Sequence, residues 1–445
     1  MSHHVIVGTG IAGLSAAEAI RATEPSADIT MVGPEPHAFY SRPGLAYFLA
    51  DAIPQSQLEI RTRAELRALA VDRRVDEVTR IDPSAHEVVL AGAGALRYDR
   101  LLVATGSAAL VPDFPGAELD GVVLLDHLDD ALDIVARANK ARTAVVIGGG
   151  PTAIELAEGL RARGLRVHYL LRGPRYWASV LDPVESRLIE EALEREQIVV
   201  HRHTRVVRAV GDGGRVVGVE TSAGETIACE ILAVAIGVRP RTKLAREAGL
   251  DVDRGVVTDD RLQTSAPDVL AAGDVAQVRD PETGAAPLDV LWSSALAQGR
   301  AAGRVMAGGT DAYRRPPSLN VTRLGKLTTT VVGAVGHESP DEDLLTVARG
   351  DSEAWRAHET AWTVEDHRAS VRIRALVGQR TVVGAVVIGD LQASRALCRL
   401  VRERVDISAL RPDLVRDPAA ALTRLVAFGA ALGRPGEEPA DATRA

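Results

Sequence analysis

Residues 4–22 read HVIVGTGIAGLSAAEAIRA, and this stretch combines a short apolar strand, a glycine-rich turn and a helix-forming segment. Gly8, Gly10 and Gly13 have the G-x-G-x-x-G spacing. The first glycine permits a tight turn, the second lets the backbone approach a pyrophosphate, and the third lets the helix pack on the strand. The N-terminus of the helix then faces the phosphates. Because the strand ADITMVG follows, the stretch predicts a βαβ unit that binds a dinucleotide.

The same pattern returns at residues 143–163, TAVVIGGGPTAIELAEGLRAR. Gly148 and Gly150 take the first two positions, and Ala153 in the third position still permits close packing. The next strand is LRVHYLL. Chance glycine-rich turns are common, so two complete units about 140 residues apart are far more specific than one. The pair predicts an α/β protein with two Rossmann-like domains.

Composition excludes several functional classes. The chain has 445 residues, of which 46% are hydrophobic and 25% are charged, and its formal net charge is −8. This length predicts about two to four domains. There is no basic run, so nucleic-acid binding is not expected, and no apolar run approaches the roughly 18 residues of a membrane span. The first strand begins by residue 4, which leaves no room for a secretory signal, so we expect a cytoplasmic protein.

Shorter stretches fit the paired units. Residues 101–112, LLVATGSAALVP, look like a strand that ends where the chain leaves the first unit, and residues 231–242, ILAVAIGVRPRT, repeat this element. Gly273 and Asp274 follow another apolar strand, where the carboxylate could accept hydrogen bonds from a polyol such as a ribityl chain. Alone, such a pair is an ordinary turn, and the two preceding units give it its functional interpretation.

In this order the motifs resemble the flavoproteins of the pyridine nucleotide–disulfide oxidoreductase superfamily, over about residues 4–315. GTGIAG resembles the FAD pyrophosphate loop, GGGPTAIELA the NAD(P)H loop, and VLAAGDVA the second FAD motif. FYSRPGLAYFL resembles the segment that crosses over the flavin, and DVLWSSALAQGRAAG the helix whose N-terminus faces the flavin ring. VATGS and VAIGVRP resemble the two crossings between the domains. The resemblance implies FAD and NADPH or NADH as cofactors.

Matching these motifs position by position implies the site residues. Those on the FAD side are Gly8, Gly10, Ile11, Ala12, Gly13, Glu35, Arg42, Ala104, Thr105, Gly106, Gly273, Asp274 and Trp292. Those on the NAD(P)H side are Gly148, Gly150, Pro151, Thr152, Glu155, Arg172, Arg175 and Gly237. Glu155 and Tyr47 are the candidate catalytic residues.

Several of these assignments have plain structural alternatives. Glu155 would lie near the nicotinamide, but a carboxylate in the first turn of a helix also complements the helix dipole. Trp292 would pack near the flavin, or be a buried aromatic residue with no cofactor contact. Pro34 stands where the carboxylate that binds the FAD ribose often lies, so Glu35, one residue on, becomes the candidate. Its alternative is a solvated glutamate in a loop.

Departures from the family narrow the chemistry. The chain has two cysteines, Cys229 and Cys398, and neither lies in the segment that crosses the flavin, so thiol–disulfide chemistry is excluded. The motif YSRP at residues 40–43 resembles the branch without a redox disulfide, which includes ferredoxin and rubredoxin reductases and the flavin module of nitrite reductase. In that branch an arginine at the position of Arg42 contacts the FAD phosphates. Tyr47 replaces a lysine near the flavin, and a neutral phenol there leaves room for a different second substrate.

The second nucleotide site favours NADPH. In NADH enzymes the position of Leu171 usually holds an acidic residue that binds the ribose 2′-hydroxyl and repels a 2′-phosphate. Here Arg172 follows directly and Arg175 lies three residues on, and a guanidinium binds phosphate through charge-assisted hydrogen bonds. The alternatives are a solvated loop with two arginines, and use of both nucleotides.

These observations predict a glutathione reductase-like fold with three domains. We expect an FAD domain at residues 1–112 and 252–317, an NAD(P)H domain at 113–251, and a small α+β domain at 318–425. Residues 371–390 resemble the strand hairpin of that third domain, and the polar tail at 426–445 is expected to be disordered. A homodimer is left open.

The predicted activity is hydride transfer from NAD(P)H to FAD, followed by electron transfer to a ferredoxin, a rubredoxin or another redox partner. Two alternatives remain. Oxygen, a quinone or a small nitrogen compound could take the electrons directly, or the chain could be a flavin-containing assembly or redox-sensing subunit with slow turnover.

Overall fold

The computed structural model describes residues 1–92, 94–281, 283–336, 349–356, 361–368 and 371–432. Numbered in chain order, the strands are β1 His3–Val7, β2 Asp28–Gly33, β3 Val71–Val75, β4 Val78–Asp82, β5 Glu87–Leu90, β6 Gly94–Arg97, β7 Arg100–Val103, β8 Ser107–Ala109, β9 Val122–Leu124, β10 Thr143–Ile147, β11 Arg166–Leu170, β12 Val199–His201, β13 Val206–Asp212, β14 Arg215–Thr221, β15 Thr226–Ala228, β16 Ile231–Val234, β17 Val238–Pro240, β18 Val256–Thr258, β19 Val269–Ala271, β20 Ala276–Val278, β21 Leu319–Leu324, β22 Leu327–Gly333, β23 Trp362–Arg368, β24 Val371–Val377 and β25 Val382–Ile388.

The helices are α1 Ile11–Thr23, α2 Gly44–Leu49, α3 Arg63–Ala68, α4 Leu128–Ala138, α5 Pro151–Ala162, α6 Pro183–Arg195, α7 Lys243–Glu247, α8 Trp292–Met306, α9 Leu391–Arg402, α10 Arg411–Arg416 and α11 Pro418–Ala431. Two short 3₁₀ helices span Gln55–Leu58 and Glu353–Arg356. Among the described residues, none of these helices has both the length and the apolar character that crossing a membrane requires.

The first parallel sheet has the strand order β19-β7-β1-β2-β3. Its central strands are buried on both faces, which is why they read as continuous apolar runs in the sequence. Helix α1 packs against α8 through small residues. A Cβ on Gly299 would come within 2.2 Å of the Ala12 carbonyl oxygen, and one on Gly303 within 2.3 Å of the Ala16 oxygen. The close approach of the two helices therefore requires glycine at both positions.

The second parallel sheet repeats the first, with the order β12-β11-β10-β16-β9. The antiparallel strands β13-β14-β15 cover one face of it through an apolar cluster that includes Val145, Leu170 and Val219. The prediction of two Rossmann-like units is confirmed. The two crossings predicted from VATGS and VAIGVRP also pair with each other, because β8 and β17 form an antiparallel ribbon.

The C-terminal residues form an antiparallel sheet of order β21-β22-β25-β24-β23. Residues of α9 and α11, among them Leu397, Leu400 and Leu425, bury its apolar face. The predicted α+β architecture is thus present. The predicted tail starts too early, because α11 continues to Ala431 and packs Leu425 and Val426 into this core. The rest of that tail, from residue 433, lies outside the described residues.

The chain divides into two compact units. The first contains residues 1–175 and 193–315 together with residues 349–353, and so includes both parallel sheets. The second contains the C-terminal sheet together with Tyr176–Ala192. Tyr176–Ala192 falls within the residues expected to form the NAD(P)H domain, but buried Arg374 of the C-terminal sheet donates to Glu185 in this segment at 2.7 and 3.0 Å. The boundaries expected at residues 112 and 251 stay a prediction.

Candidate functional site

The first glycine turn has the geometry that its spacing predicts. Gly8 has a φ of +123°, and a Cβ there would come within 2.1 Å of the Ala104 carbonyl oxygen. A Cβ on Gly13 would come within 2.2 Å of the Gly8 oxygen, so this glycine brings the helix close to the turn. Gly10 is different, because a Cβ there meets no atom within 4 Å. Its backbone faces open space at the start of α1.

The second turn repeats this arrangement. Gly148 has a φ of +151°, and a Cβ there would come within 2.2 Å of the Ala235 carbonyl oxygen. Ala235 follows β16 as Ala104 follows β7. Gly150 is the N-cap of α5 and Pro151 is its first residue, where the missing N–H of proline costs no hydrogen bond. Each glycine turn therefore packs against the residue that directly follows a strand of its own sheet, β7 in the first sheet and β16 in the second.

A cleft lies over the first glycine turn, and several of the residues predicted to bind FAD line it. Trp292 lies in its wall with its ring centroid 6.1 Å from that of Phe39. The lining residues are Thr9, Gly10, Ile11, Leu14, Met31, Glu35, His37, Ala38, Phe39, Tyr40, Arg42, Leu66, Leu69, Val71, Arg73 and Trp292. Ala12 does not line this cleft and instead packs under Gly299 of α8.

Glu35 and Arg42 form an ion pair at the edge of this cleft. The guanidinium of Arg42 donates to Glu35 Oε1 at 2.5 Å, and the Tyr40 hydroxyl donates to Glu35 Oε2 at 2.6 Å. Burial raises the pKa of the Tyr40 hydroxyl, which keeps it a donor. Arg42 also donates to the Asp126 carbonyl oxygen at 2.5 Å. Two residues predicted independently to bind FAD are thus brought together.

Asp274 lies where the sequence predicts it, at the end of a buried strand. Its Oδ2 accepts a hydrogen bond from Ser107 Oγ at 2.7 Å. Gly273 has a φ of +82°, and its N–H donates to Gln298 Oε1 in α8 at 2.7 Å. The VLAAGDVA motif is therefore hydrogen-bonded both to the first crossing, at Ser107, and to α8, at Gln298. Helix α8 is the one whose N-terminus is expected, from the family resemblance, to face the flavin.

The first crossing, VATGS, contacts the second, VAIGVRP, through side chains as well as through the pairing of β8 with β17. Thr105 Oγ1 donates to the Arg241 carbonyl oxygen at 3.0 Å. Arg241 returns a hydrogen bond to the Ser107 oxygen, and it donates to Asp126 Oδ2 at 2.5 Å. Gly106 lies between these contacts with a φ of +68°.

A second, smaller cleft lies at the N-terminus of α5. It is lined by Ala109, Leu125, Gly150, Thr152, Val234, Ala235, Gly237, Val238 and Arg349. Glu155 lies one helical turn further along α5. Burial raises the pKa of its carboxyl to about 7; the Glu158 carboxylate adds to this shift and the Arg349 guanidinium opposes it. Glu155 does not line this cleft, but a carboxyl with a pKa near neutral can hold or release a proton at working pH.

The loop after β11 carries the two arginines predicted to select NADPH. Arg172 is exposed and its guanidinium has no hydrogen bond or ion pair within the described part of the chain. Leu171 is buried at the strand end, where its N–H donates to the His201 oxygen and its oxygen accepts from Thr204 N–H. Arg175 is mostly buried.

Sequence reasoning missed the turn that packs beside this loop. The N–H of His203 donates to the Gly173 oxygen at 3.1 Å, so residues 202–205 lie against the arginine loop. Arg202 and Arg205 add exposed positive charge there. The two arginines within residues 202–205 could have suggested an anion-binding turn. Nothing in the local sequence, however, shows that the end of β12 lies next to the end of β11.

Three more residues belong to this description, one of them predicted and two overlooked. Tyr47, the second candidate catalytic residue, is 41% exposed on α2 and lines neither cleft. Asp126 and Arg349 were not predicted at all, although the Arg349 guanidinium donates to Asp126 Oδ1 and Arg349 is one of the residues that line the second cleft. Arg349 stands in no recognisable motif, so no local signal identifies it.

Comparison with known proteins agrees with this geometry. The profile of the family described as pyridine nucleotide-disulphide oxidoreductase matches residues 2–299. Rhodocoxin reductase from Rhodococcus erythropolis is 34% identical over 322 residues, which cover 70% of this chain and 74% of that protein. The NAD(P)H nitrite reductase of Bacillus subtilis (strain 168) is 28% identical over 407 residues. They cover 91% of this chain but 48% of that protein, so the chain spans about half of its length.

A solved structure has the same fold over nearly the whole chain. The ferredoxin reductase from Rhodopseudomonas palustris superposes with a TM-score of 0.83 and covers 96% of this chain and 100% of its own, at 23% identity. The predicted fold class, two Rossmann-like domains followed by a small α+β domain, is confirmed.

Proposed function

The chain belongs to the pyridine nucleotide-disulphide oxidoreductase family, in the branch without a redox disulfide, and we propose that it passes electrons from NADPH through FAD to a small ferredoxin- or rubredoxin-type protein. As a member of this family it is an FAD-dependent NAD(P)H oxidoreductase. When bound, FAD takes up a hydride from the nicotinamide and can then release electrons to an acceptor. The choice of NADPH and of the acceptor is the proposal.

One observation carries the exclusion of thiol chemistry. The chain has only two cysteines, and Cys229 is 2% exposed in the core of the second sheet. Burial raises the pKa of its thiol to about 12, so it does not supply a thiolate. Cys398 belongs to α9 in the C-terminal unit. Neither cysteine is therefore a candidate for a redox disulfide beside the first cleft.

The residues of the first cleft suit FAD. Gly10 offers a backbone open to a pyrophosphate, and Arg42 supplies the cation that phosphates require. Asp274 presents carboxylate oxygens next to Ser107, which suits the hydroxyl groups of a ribityl chain. In the second cleft, Gly150 and Thr152 at the start of α5 suit the diphosphate of NAD(P)H.

NADPH is proposed because the residues beside Leu171 carry positive charge and no carboxylate follows the strand. The guanidinium of Arg172, which has no partner among the residues that the structure describes, can bind a 2′-phosphate together with Arg205 and with Arg202, which lies 3.6 Å from Glu194. A carboxylate at the Leu171 position would repel that phosphate. The proposed acceptor class rests on the relatives, since rhodocoxin reductase and ferredoxin reductase are named for such partners.

The test is anaerobic stopped-flow spectroscopy of the flavin. We expect bleaching of the flavin absorbance by NADPH at lower concentration than by NADH, then rapid reoxidation by a ferredoxin or rubredoxin and slow reoxidation by oxygen or a quinone. Fast reoxidation by oxygen or quinone alone would replace the protein acceptor with a direct oxidase or reductase activity. Absence of bleaching by either nucleotide would contradict the proposed function as a whole.

A further inference from the structure

Arg349 reaches the second cleft from a segment far along the chain. Residues 349–353 lie against both nucleotide-binding regions of the first unit. The Arg349 carbonyl oxygen accepts a hydrogen bond from Thr152 Oγ1 at 3.4 Å, next to the glycine turn of α5. The Asp351 oxygen accepts from Val290 N–H at 3.1 Å, just before α8. The segment is thus held at Arg349 and at Asp351.

Glu353 anchors the other end of the segment. Its carboxylate accepts from Arg254 through two hydrogen bonds, and it also accepts from Leu288 N–H at 2.9 Å. The Arg254–Glu353 pair lies outside the second cleft. Arg254 therefore holds the same segment as Arg349 does, without reaching the cleft.

The Arg349 guanidinium has an unusual electrostatic setting. Asp126 accepts from Arg349 with Oδ1 and from Arg241 with Oδ2, so two cations share one carboxylate in direct contact. The Arg349 side chain is 21% exposed, and Arg349 is one of the residues that line the cleft with Gly150. An anion entering the cleft would meet a cation whose hydrogen-bonded carboxylate is shared with a second arginine, at the positive end of α5.

We propose that Arg349 binds the diphosphate of NAD(P)H, as a nucleotide-binding residue supplied from outside the glycine motif. This inference rests on the proposed function, in which the cleft receives the nicotinamide nucleotide. The diphosphate is common to NADPH and NADH, so Arg349 strengthens the binding of both. Arg172, which faces the ribose end, affects only the phosphorylated form.

A purely structural role makes a different prediction. If Arg349 only tied its segment to Asp126, then loosening the segment at Arg254 would have the same effect on nucleotide binding. Arg254→Gln is therefore the matched control, since it removes a two-bonded arginine from the same segment away from the cleft. Arg349→Lys keeps the charge while shortening the reach and removing the planar fork.

The probes are ADP-ribose and its 2′-phosphate analogue, which carry the diphosphate but no nicotinamide. Binding to the FAD-loaded enzyme is measured by calorimetry. For Arg349→Gln we expect a dissociation constant raised roughly ten- to hundredfold for both probes, as for loss of a charge-assisted hydrogen bond. Arg349→Lys should recover part of the affinity, and Arg254→Gln should stay within about twofold of the wild type.

Unchanged binding by Arg349→Gln would overturn the proposal, as would an equal loss in Arg254→Gln. If Arg349→Gln does not retain FAD, the test rests on Arg349→Lys alone. Binding of the two probes that is weakened about threefold or more supports the contact. Binding equal to that of the wild type overturns it. Failure of the proposed function has a separate signature, because the wild-type flavin would then not bleach with either nucleotide.

Discussion

The guanidinium of Arg42 and the carboxylate of Glu35 lie 2.5 Å apart, so the residues expected to bind the FAD phosphates and the FAD ribose are paired with each other. Both oxygens of Glu35 are engaged, because Tyr40 donates to the second one. Glu35 thereby orients Arg42 toward the cleft. The pair acts as one unit at the edge of the first cleft.

Arg42→Gln should weaken FAD binding roughly ten- to hundredfold, because it removes the cation expected at the phosphates. The measurement is the dissociation constant from fluorescence titration of the apoprotein with FAD. Arg61→Gln is the control, since Arg61 forms a more exposed ion pair with Glu18 outside the cleft. Equal FAD affinity in the two variants would show that Arg42 does not bind the phosphates.

Gly10→Ala should keep the fold and lose FAD affinity by about tenfold or more. The backbone of Gly10 has φ −79° and ψ −172°, which alanine adopts freely, and the added methyl meets no protein atom within 4 Å. The methyl would instead occupy the space of the pyrophosphate. Thermal unfolding of the apoprotein tests whether the fold is kept. The flavin content after purification tests whether FAD affinity is lost.

Gly8→Ala provides the contrast, since its Cβ would come within 2.1 Å of the Ala104 oxygen in a left-handed backbone conformation. That variant should unfold at a lower temperature even without FAD. A Gly10→Ala protein with full flavin content would remove Gly10 from the site.

Arg172→Glu should raise the Michaelis constant for NADPH at least about tenfold and that for NADH by no more than about threefold. The exchanged charge repels the 2′-phosphate, which NADH lacks. Arg395→Glu reverses the charge of an exposed arginine on α9 and should change neither constant. If Arg172→Glu raises both constants equally, Arg172 is an ordinary surface residue.

Asp289→Asn should stabilise the protein at neutral pH. Asp289 is 2% exposed, and burial raises the pKa of its carboxyl from 3.8 to about 6. The folded state therefore binds this proton more tightly than the unfolded state, and stability falls as pH rises from about 4 to about 6. Asparagine does not titrate, so this pH-dependent loss does not occur in the variant. Its free energy of unfolding should exceed that of the wild type by about 2 kcal/mol at pH 7 and should equal it near pH 3.5.

Chemical denaturation at the two pH values measures this difference, with Asp311→Asn as an exposed control in the same unit. A gain of the same size at both pH values would mean that titration of Asp289 is not its cause.

The sequence was sufficient for the parts of the site that depend on neighbours along the chain. The roles of Gly8, Gly10 and Gly13 follow from the geometry of one strand, one turn and one helix, and all three have the predicted environment. The position of Asp274 at a strand end was also predictable, because that strand end is recognisable within a few residues, and its role in FAD binding stays a prediction.

Contacts between distant residues were not predictable in this way. Asp126 and Arg349 are separated by 223 positions, and no periodicity or spacing connects them. The same holds for Arg374 and Glu185, 189 positions apart, whose buried pair assigns Tyr176–Ala192 to the C-terminal unit. A polar residue that owes its role to a remote partner looks, in sequence, like any surface residue.

The close packing of Gly299 and Gly303 on α1 also constrains the order of events during synthesis on the ribosome. The second parallel sheet draws its strands from residues 122–234, whereas the first needs β19 and is closed by α8, which ends at Met306. Domains generally fold as units while the chain emerges. The N-terminal strand is made first, yet its sheet is completed only after the second parallel sheet, so the nascent chain holds a finished second sheet before the first cleft is closed.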